Sequence, residues 1–214
     1  MRYTLVMRSL LLLPILLLAG CQAAPSVPSD GASSSSTERS ALSSVISSES
    51  TSSVSSLALS QTYTNSDYNF QLSYPAGFEA KKDFYTDESD LASASILYPD
   101  SFAKNVTLID ARVDMTVQAG TCKDTDTFNV QSRQSAVING ITFNRADGSD
   151  VGAGNLYDVR SYSTTHNSNC YRSTLIIHSC NLGPDCAAGH QRTFDRKPLQ
   201  DIFEQMMTTF KFTK

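Results

Sequence analysis

The 214-residue sequence has no basic excess: 17 Lys and Arg stand against 21 Asp and Glu, for a formal net charge of −4. Nucleic acid and anionic lipid headgroups, which call for a positive face, are therefore not expected as partners. The leucine-rich run from Leu10 to Leu18 is only about nine residues long, against the roughly 20 that a spanning helix needs, and Pro14 interrupts it. A permanent transmembrane span is thus the weaker reading of the N-terminus. Aromatic residues are missing altogether from Gln22 to Ser60, while serine fills 17 of those 39 positions. Such a stretch has too little apolar surface to offset the entropy of ordering it, and it reads as a disordered tether. G-x-S-x-G, H-E-x-x-H, Walker and G-x-G-x-x-G patterns are also missing. No catalytic residue and no cofactor is assigned on this reading.

What is present begins with an export signal over residues 1–20. Arg2 and Arg8 form its basic start, the leucine-rich run its core, and Ala19 and Gly20 the small residues before Cys21. The tail Leu18-Ala19-Gly20-Cys21 resembles the lipobox of bacterial lipoproteins. That resemblance implies that the Cys21 thiol receives a diacylglycerol, that the chain is cut before it, and that the new amine is acylated, with palmitate-type chains. Several acyl chains on one residue make a durable anchor. The expected location is the extracytoplasmic face of a bacterial membrane, either the cell membrane or the outer membrane. Residues 21–60 then form a lipidated cysteine and a Ser-rich linker, with a root-mean-square reach of roughly 35 Å.

Residues 61–214 hold 18 of the 19 Phe and Tyr and suit one folded domain with a single core. The domain carries 14 Lys and Arg against 18 Asp and Glu, and the tether adds three acids and Arg39, which brings the chain from Cys21 onward to −6. Beyond Cys21, four cysteines remain: Cys122, Cys170, Cys180 and Cys186. An even number in an exported domain reads as two disulfides. Cys180 and Cys186 bracket the turn-forming Asn-Leu-Gly-Pro-Asp, which pairs them and leaves Cys122 with Cys170. His178, Cys180, Cys186 and His190 also have the residue types of a zinc site. Their spacing is not a usual one, and exported thiols oxidise before they can serve as ligands, so no metal is expected there.

The pattern after Gln61 is mainly one of strands. Tyr68, Phe70, Leu72 and Tyr74 alternate with polar residues, and so do Ile109, Ala111, Val113, Met115 and Val117 against Asp110, Arg112, Asp114 and Thr116. Asn139-Gly140 predicts a tight hairpin turn, and further strands are expected near 155–163 and 171–179. Leu199, Ile202, Phe203, Met206 and Phe210 recur at helical spacing, so a C-terminal amphipathic helix is expected, with Asp195 capping its start and Pro198 in its first turn. Asp147, Asp150 and Asn155, in a glycine-rich stretch, offer oxygen ligands for calcium, as do Asp124 and Asp126. The plainer reading of both is a polar loop between strands.

The stretches "YNFQLSYPAGF", "VINGITFNRAD", "GAGNLYDVRSYST", "CYRSTLIIHSCNLG" and "FDRKPLQDIFEQMMTTFKF" together resemble a family of bacterial lipoproteins with a PsbP-like domain. The resemblance covers nearly all of 63–212. It implies an α+β fold of the Mog1/PsbP-like kind, a mainly antiparallel sheet flanked by helices on both faces in an α/β/α sandwich. It implies no catalytic residue. The expected function is an anchored accessory or binding module of the cell envelope, with an envelope protein as its partner; the alternative is a hydrolase of unrecognised type.

Overall fold

The computed structural model describes residues 57–83, 87, 89–123, 128–181, 186 and 192–214. The export signal, Cys21 and most of the tether therefore lie outside the described residues, as do Asp124, Asp126 and His190. Ten strands and one α-helix are described, in two antiparallel sheets.

The small sheet has the order β1-β2-β10, from Gln61–Asn65, Phe70–Tyr74 and Lys211–Phe212. The large sheet is seven-stranded, in the order β3-β4-β5-β9-β8-β7-β6. Its strands are β3 (Glu79–Lys82), β4 (Asp90–Leu97), β5 (Leu108–Ala119), β6 (Asn129–Ile138), β7 (Ile141–Gly152), β8 (Asn155–His166) and β9 (Asn169–Cys180). Asn139 and Gly140, with φ of 51° and 78°, close β6 onto β7 in the two-residue turn that their tolerance of positive φ allows. The tip is fastened, because the Asn139 side-chain amide donates to the carbonyls of Thr208 and Phe210.

Register decides what each face carries. Leu175 of β9 lies opposite Val113 and Arg160, while Thr174 lies opposite Asp114 and Ser161. One face thus presents Ile96, Val113, Met115, Leu175, Tyr162 and Phe143, all buried. This face is covered by the single helix α1 (Lys197–Met207) and by the small sheet. Leu199, Ile202, Phe203 and Met206 point into it, and Phe203 meets the Tyr162 ring at 5.7 Å. Phe70 of β2 stacks on Phe210 and meets Tyr171 edge-on, both at 5.8 Å. Tyr98 is buried in the same core and donates its hydroxyl to the Leu199 carbonyl, and burial pushes that phenol above its ordinary value.

Four expectations are corrected. The two-faced helical sandwich is not what the described residues form: they contain one α-helix, on one face. That helix ends at Met207, so Phe210 joins the core from the segment leading into β10, and Met207 is buried in the helix. Ile109 does not share the inward face of β5. The register shifts between Leu108 and Asp110, which turns Leu108 inward and leaves Ile109 exposed. The 145–155 stretch is no interstrand loop; β7 runs through it to Gly152 and only Ala153-Gly154 turn. The carboxylate of Asp195 does accept a hydrogen bond from the backbone N–H of Lys197, at the start of the helix.

Candidate functional site

The outer face of the large sheet holds an elongated groove with a volume of about 860 Å³. Its floor comes from alternate residues of neighbouring strands: Thr116 and Asp114 on β5, Thr174 and Ile176 on β9, Val159 and Tyr157 on β8. These residues share one side because side chains alternate along a strand. Asp87, Asp90 and Gln118 stand at one end, joined by the Gln118 amide, which donates to Asp90 at 2.9 Å. Lys123, Arg172 and Phe128 also line it.

Two features position these residues. The Cys122–Cys170 disulfide ties the chain after β5 to the start of β9, and Arg172 donates to the Lys123 carbonyl at 3.2 Å. Phe128 and Asn129 lie directly against the backbone of Gly148. A Cβ there would sit 2.3 Å from the Asn129 carbonyl oxygen and 2.7 Å from the Phe128 ring. Only glycine admits this close approach.

A polar chain crosses four strands beneath the groove. Ser95 on β4 donates to Asp114 at 2.6 Å. Arg112 donates to Asp114 at 3.0 Å and to Asp110 at 3.2 Å, along one side of β5. Asp110 meets His178 Nδ1 on β9 at 2.9 Å, and His178 Nε2 meets Asn155 Oδ1 on β8 at 2.8 Å. The imidazole also stacks on the Tyr157 ring, with centroids 4.5 Å apart. Burial pushes the Asp114 carboxyl above its ordinary value, although Ser95 and Arg112 both donate to it. Both ring nitrogens of His178 are engaged while its face packs on Tyr157. The groove thus offers fixed charges of both signs, threonine hydroxyls and an aromatic ring, a surface suited to recognition.

A second charged cluster lies on the opposite face. Asp147 receives hydrogen bonds from Arg160 and Arg145, and Arg160 donates onward to Glu204 of the helix at 2.9 Å. The Tyr162 hydroxyl also donates to Glu204. Burial alone would raise the Asp147 carboxyl, but the two arginines outweigh it and hold it below its ordinary value. A recess of about 260 Å³ beside this cluster is lined by Gln131, Ser132, Asp158 and Gln200 among others. The cluster is a fastening between helix and sheet.

The residues singled out from sequence are thus distributed. Cys122 with Cys170, and Cys180 with Cys186, are bonded as expected, so neither thiol of the second pair is available to a metal. The calcium ligands are not brought together. Asp147 faces the helix, Asp150 lines the groove on the other side, and Asn155 is bound to His178. No group of three or more His, Cys, Asp or Glu suited to a metal is found among the described residues. Sequence reasoning missed Arg112, Asp114, Phe128 and Arg172 as site residues. The available signal was the alternation Asp110, Arg112, Asp114 on one side of β5, which reads equally as a solvent-facing stripe.

No family model matches the sequence, and no curated protein matches it. Solved structures resemble it at low identity. A protein from Bacteroides thetaiotaomicron VPI-5482 is 12% identical, with a TM-score of 0.45 over 73% of this chain, which spans 50% of that protein. Cyanobacterial PsbP (CyanoP) from Synechocystis sp. PCC 6803 is 10% identical, with a TM-score of 0.44 over 71% of this chain and 91% of its own. PA94 of Pseudomonas aeruginosa, a protein of unknown function, is 14% identical, with a TM-score of 0.39 over 70% and 94%.

Proposed function

We propose that this chain is an extracytoplasmic lipoprotein, held at a bacterial membrane through acylated Cys21, whose PsbP-like β-domain is an accessory or binding module of the cell envelope. The observation that carries the binding role is the groove. It is lined by Lys123, next to the Cys122–Cys170 disulfide, and by Phe128, packed on Gly148, and two of its charged side chains, Asp114 and Arg112, are held by hydrogen bonds. Asp114 and Arg112, already held in this way, lose little freedom when a ligand arrives, which favours binding. The anchor rests on the Leu18-Ala19-Gly20-Cys21 tail after its leucine-rich run.

The test has two arms, both on the full-length protein in its native cells. Cys21→Ser should move the protein from the membrane to the soluble exported fraction; retention in membranes after a high-salt wash overturns the anchor. A photoreactive residue placed at Thr174 or Thr116, in the groove, should give a discrete covalent adduct with an envelope component. The same residue at exposed Thr62 on β1 should not. No adduct from the groove, or an equal one from Thr62, overturns the binding site.

A further inference from the structure

The large sheet has two edges, and they are built differently. At one edge, β3 is four residues long and carries Glu79, Lys81 and Lys82, the short charged edge that discourages pairing. At the other, β6 runs for ten residues without proline or glycine and with Arg133 as its one charge. Val137 on this strand is 71% exposed, the most exposed of the large apolar residues among those described.

Which backbone groups face outward follows from the turn. A two-residue turn at Asn139-Gly140 makes Ile138 and Ile141 a hydrogen-bonded pair, and pairs then alternate along the hairpin. Residues 138, 136, 134 and 132 therefore bond to β7. Arg133, Ser135 and Val137 direct their N–H and C=O groups away from it. The uninterrupted run is Ser132–Ile138, bounded by the register shift between Val130 and Ser132 and by the turn. Its midpoint is Ser135.

We propose that β6 is a self-association edge: a second copy of this chain pairs its own β6 antiparallel, on a two-fold axis at Ser135. Centring there overlaps the whole run, with Ser132 opposite Ile138 of the partner, and forms on the order of six new backbone hydrogen bonds. It sets Arg133 opposite the partner's Val137, so like charges do not meet and the arginine stem covers the exposed valine. Centring on Arg133 would oppose two arginines. The interface is isologous and closes after two copies. Since the axis stands perpendicular to the sheet, both grooves open to the same side of one fourteen-stranded surface.

The test uses the full-length chain in membranes, with Ser135→Cys and a short bis-maleimide. A product of twice the chain mass is expected, and it should fall at least tenfold when Val137→Lys is added, since lysine would then face Arg133. Val137→Pro should do the same while keeping a cooperative melt, because the N–H it removes is unused within the hairpin. The proposal is overturned if no doubled product forms, if the product survives both substitutions, if Thr62→Cys gives as much, or if the product has the mass of a different partner.

Discussion

Replacing Cys122 and Cys170 by alanine should cost more stability than replacing Cys180 and Cys186, and by a margin the chain itself sets. The two bridges span sequence separations of 48 and 6. Restricting an unfolded chain by closing loops of those sizes is worth about 4 kcal/mol and about 2 kcal/mol in the chain-entropy account. Cys170 is 4% exposed and Cys180 and Cys186 are 6% exposed, whereas Cys122 is only part-buried, so truncation loses somewhat less packing in the long-loop pair. The long bridge should still be the costlier loss, by up to about 2 kcal/mol. For a domain of this size, each kcal/mol moves Tm by about 2–4 °C, which gives shifts near 12 °C and 6 °C. Differential scanning calorimetry of the two double-alanine variants, in full-length protein without reductant, reads both. The first variant should also show a larger denaturant m-value, because its unfolded chain is released to expand. Equal shifts, or a larger one for the short bridge, would refute the loop-size argument.

Gly148→Ala should destabilise the domain by about 1–3 kcal/mol, because its Cβ meets the Asn129 backbone oxygen, which has no flexible side chain's freedom to yield. Gly152→Ala, with open space around its Cβ, is the control; equal behaviour of the two would refute the contact. Asp147→Asn should cost about 1–2 kcal/mol at neutral pH, a value discounted for its quarter-exposed side chain. Because the folded carboxyl lies below its ordinary value, its stabilisation is present above about pH 4 and disappears as pH falls through the folded value. Urea melts from pH 7 to pH 2 should show the wild type and Asp147→Asn converging in acid. A gap that is constant with pH would refute the ion pair as its source.

Much of the architecture was legible because it depends on local rules. The alternation at Phe70, Leu72 and Tyr74 and the Asn139-Gly140 turn need no knowledge of distant residues. The turn spacer between Cys180 and Cys186 likewise settles which cysteines pair. The errors share a cause, since each depends on a partner that sequence spacing does not reveal. Ile109 and Leu108 exchange faces through an irregularity in the pairing of β5 with β9. Asp147 and Asp150 read as fellow ligands, yet three steps along a strand place them on opposite faces of the sheet. Met207 is buried because of what lies around the helix end, and Phe210 is buried without being helical. The groove was least legible, since its residues come from β4 to β9 and the flanking segments and meet only through register.

The three-stranded sheet has its middle strand near the start of the domain and one of its outer strands at the end of the sequence. Phe212 pairs with Phe70, and Thr209 accepts a hydrogen bond from the Ser73 backbone across 136 residues. Closing the core therefore requires segments 136 or more residues apart to meet. Phe70 waits for Phe210, whose ring it stacks on, and the large sheet's inner face stays uncovered until α1 arrives. Distant contacts of this kind dominate the described fold, and such a topology predicts slow folding.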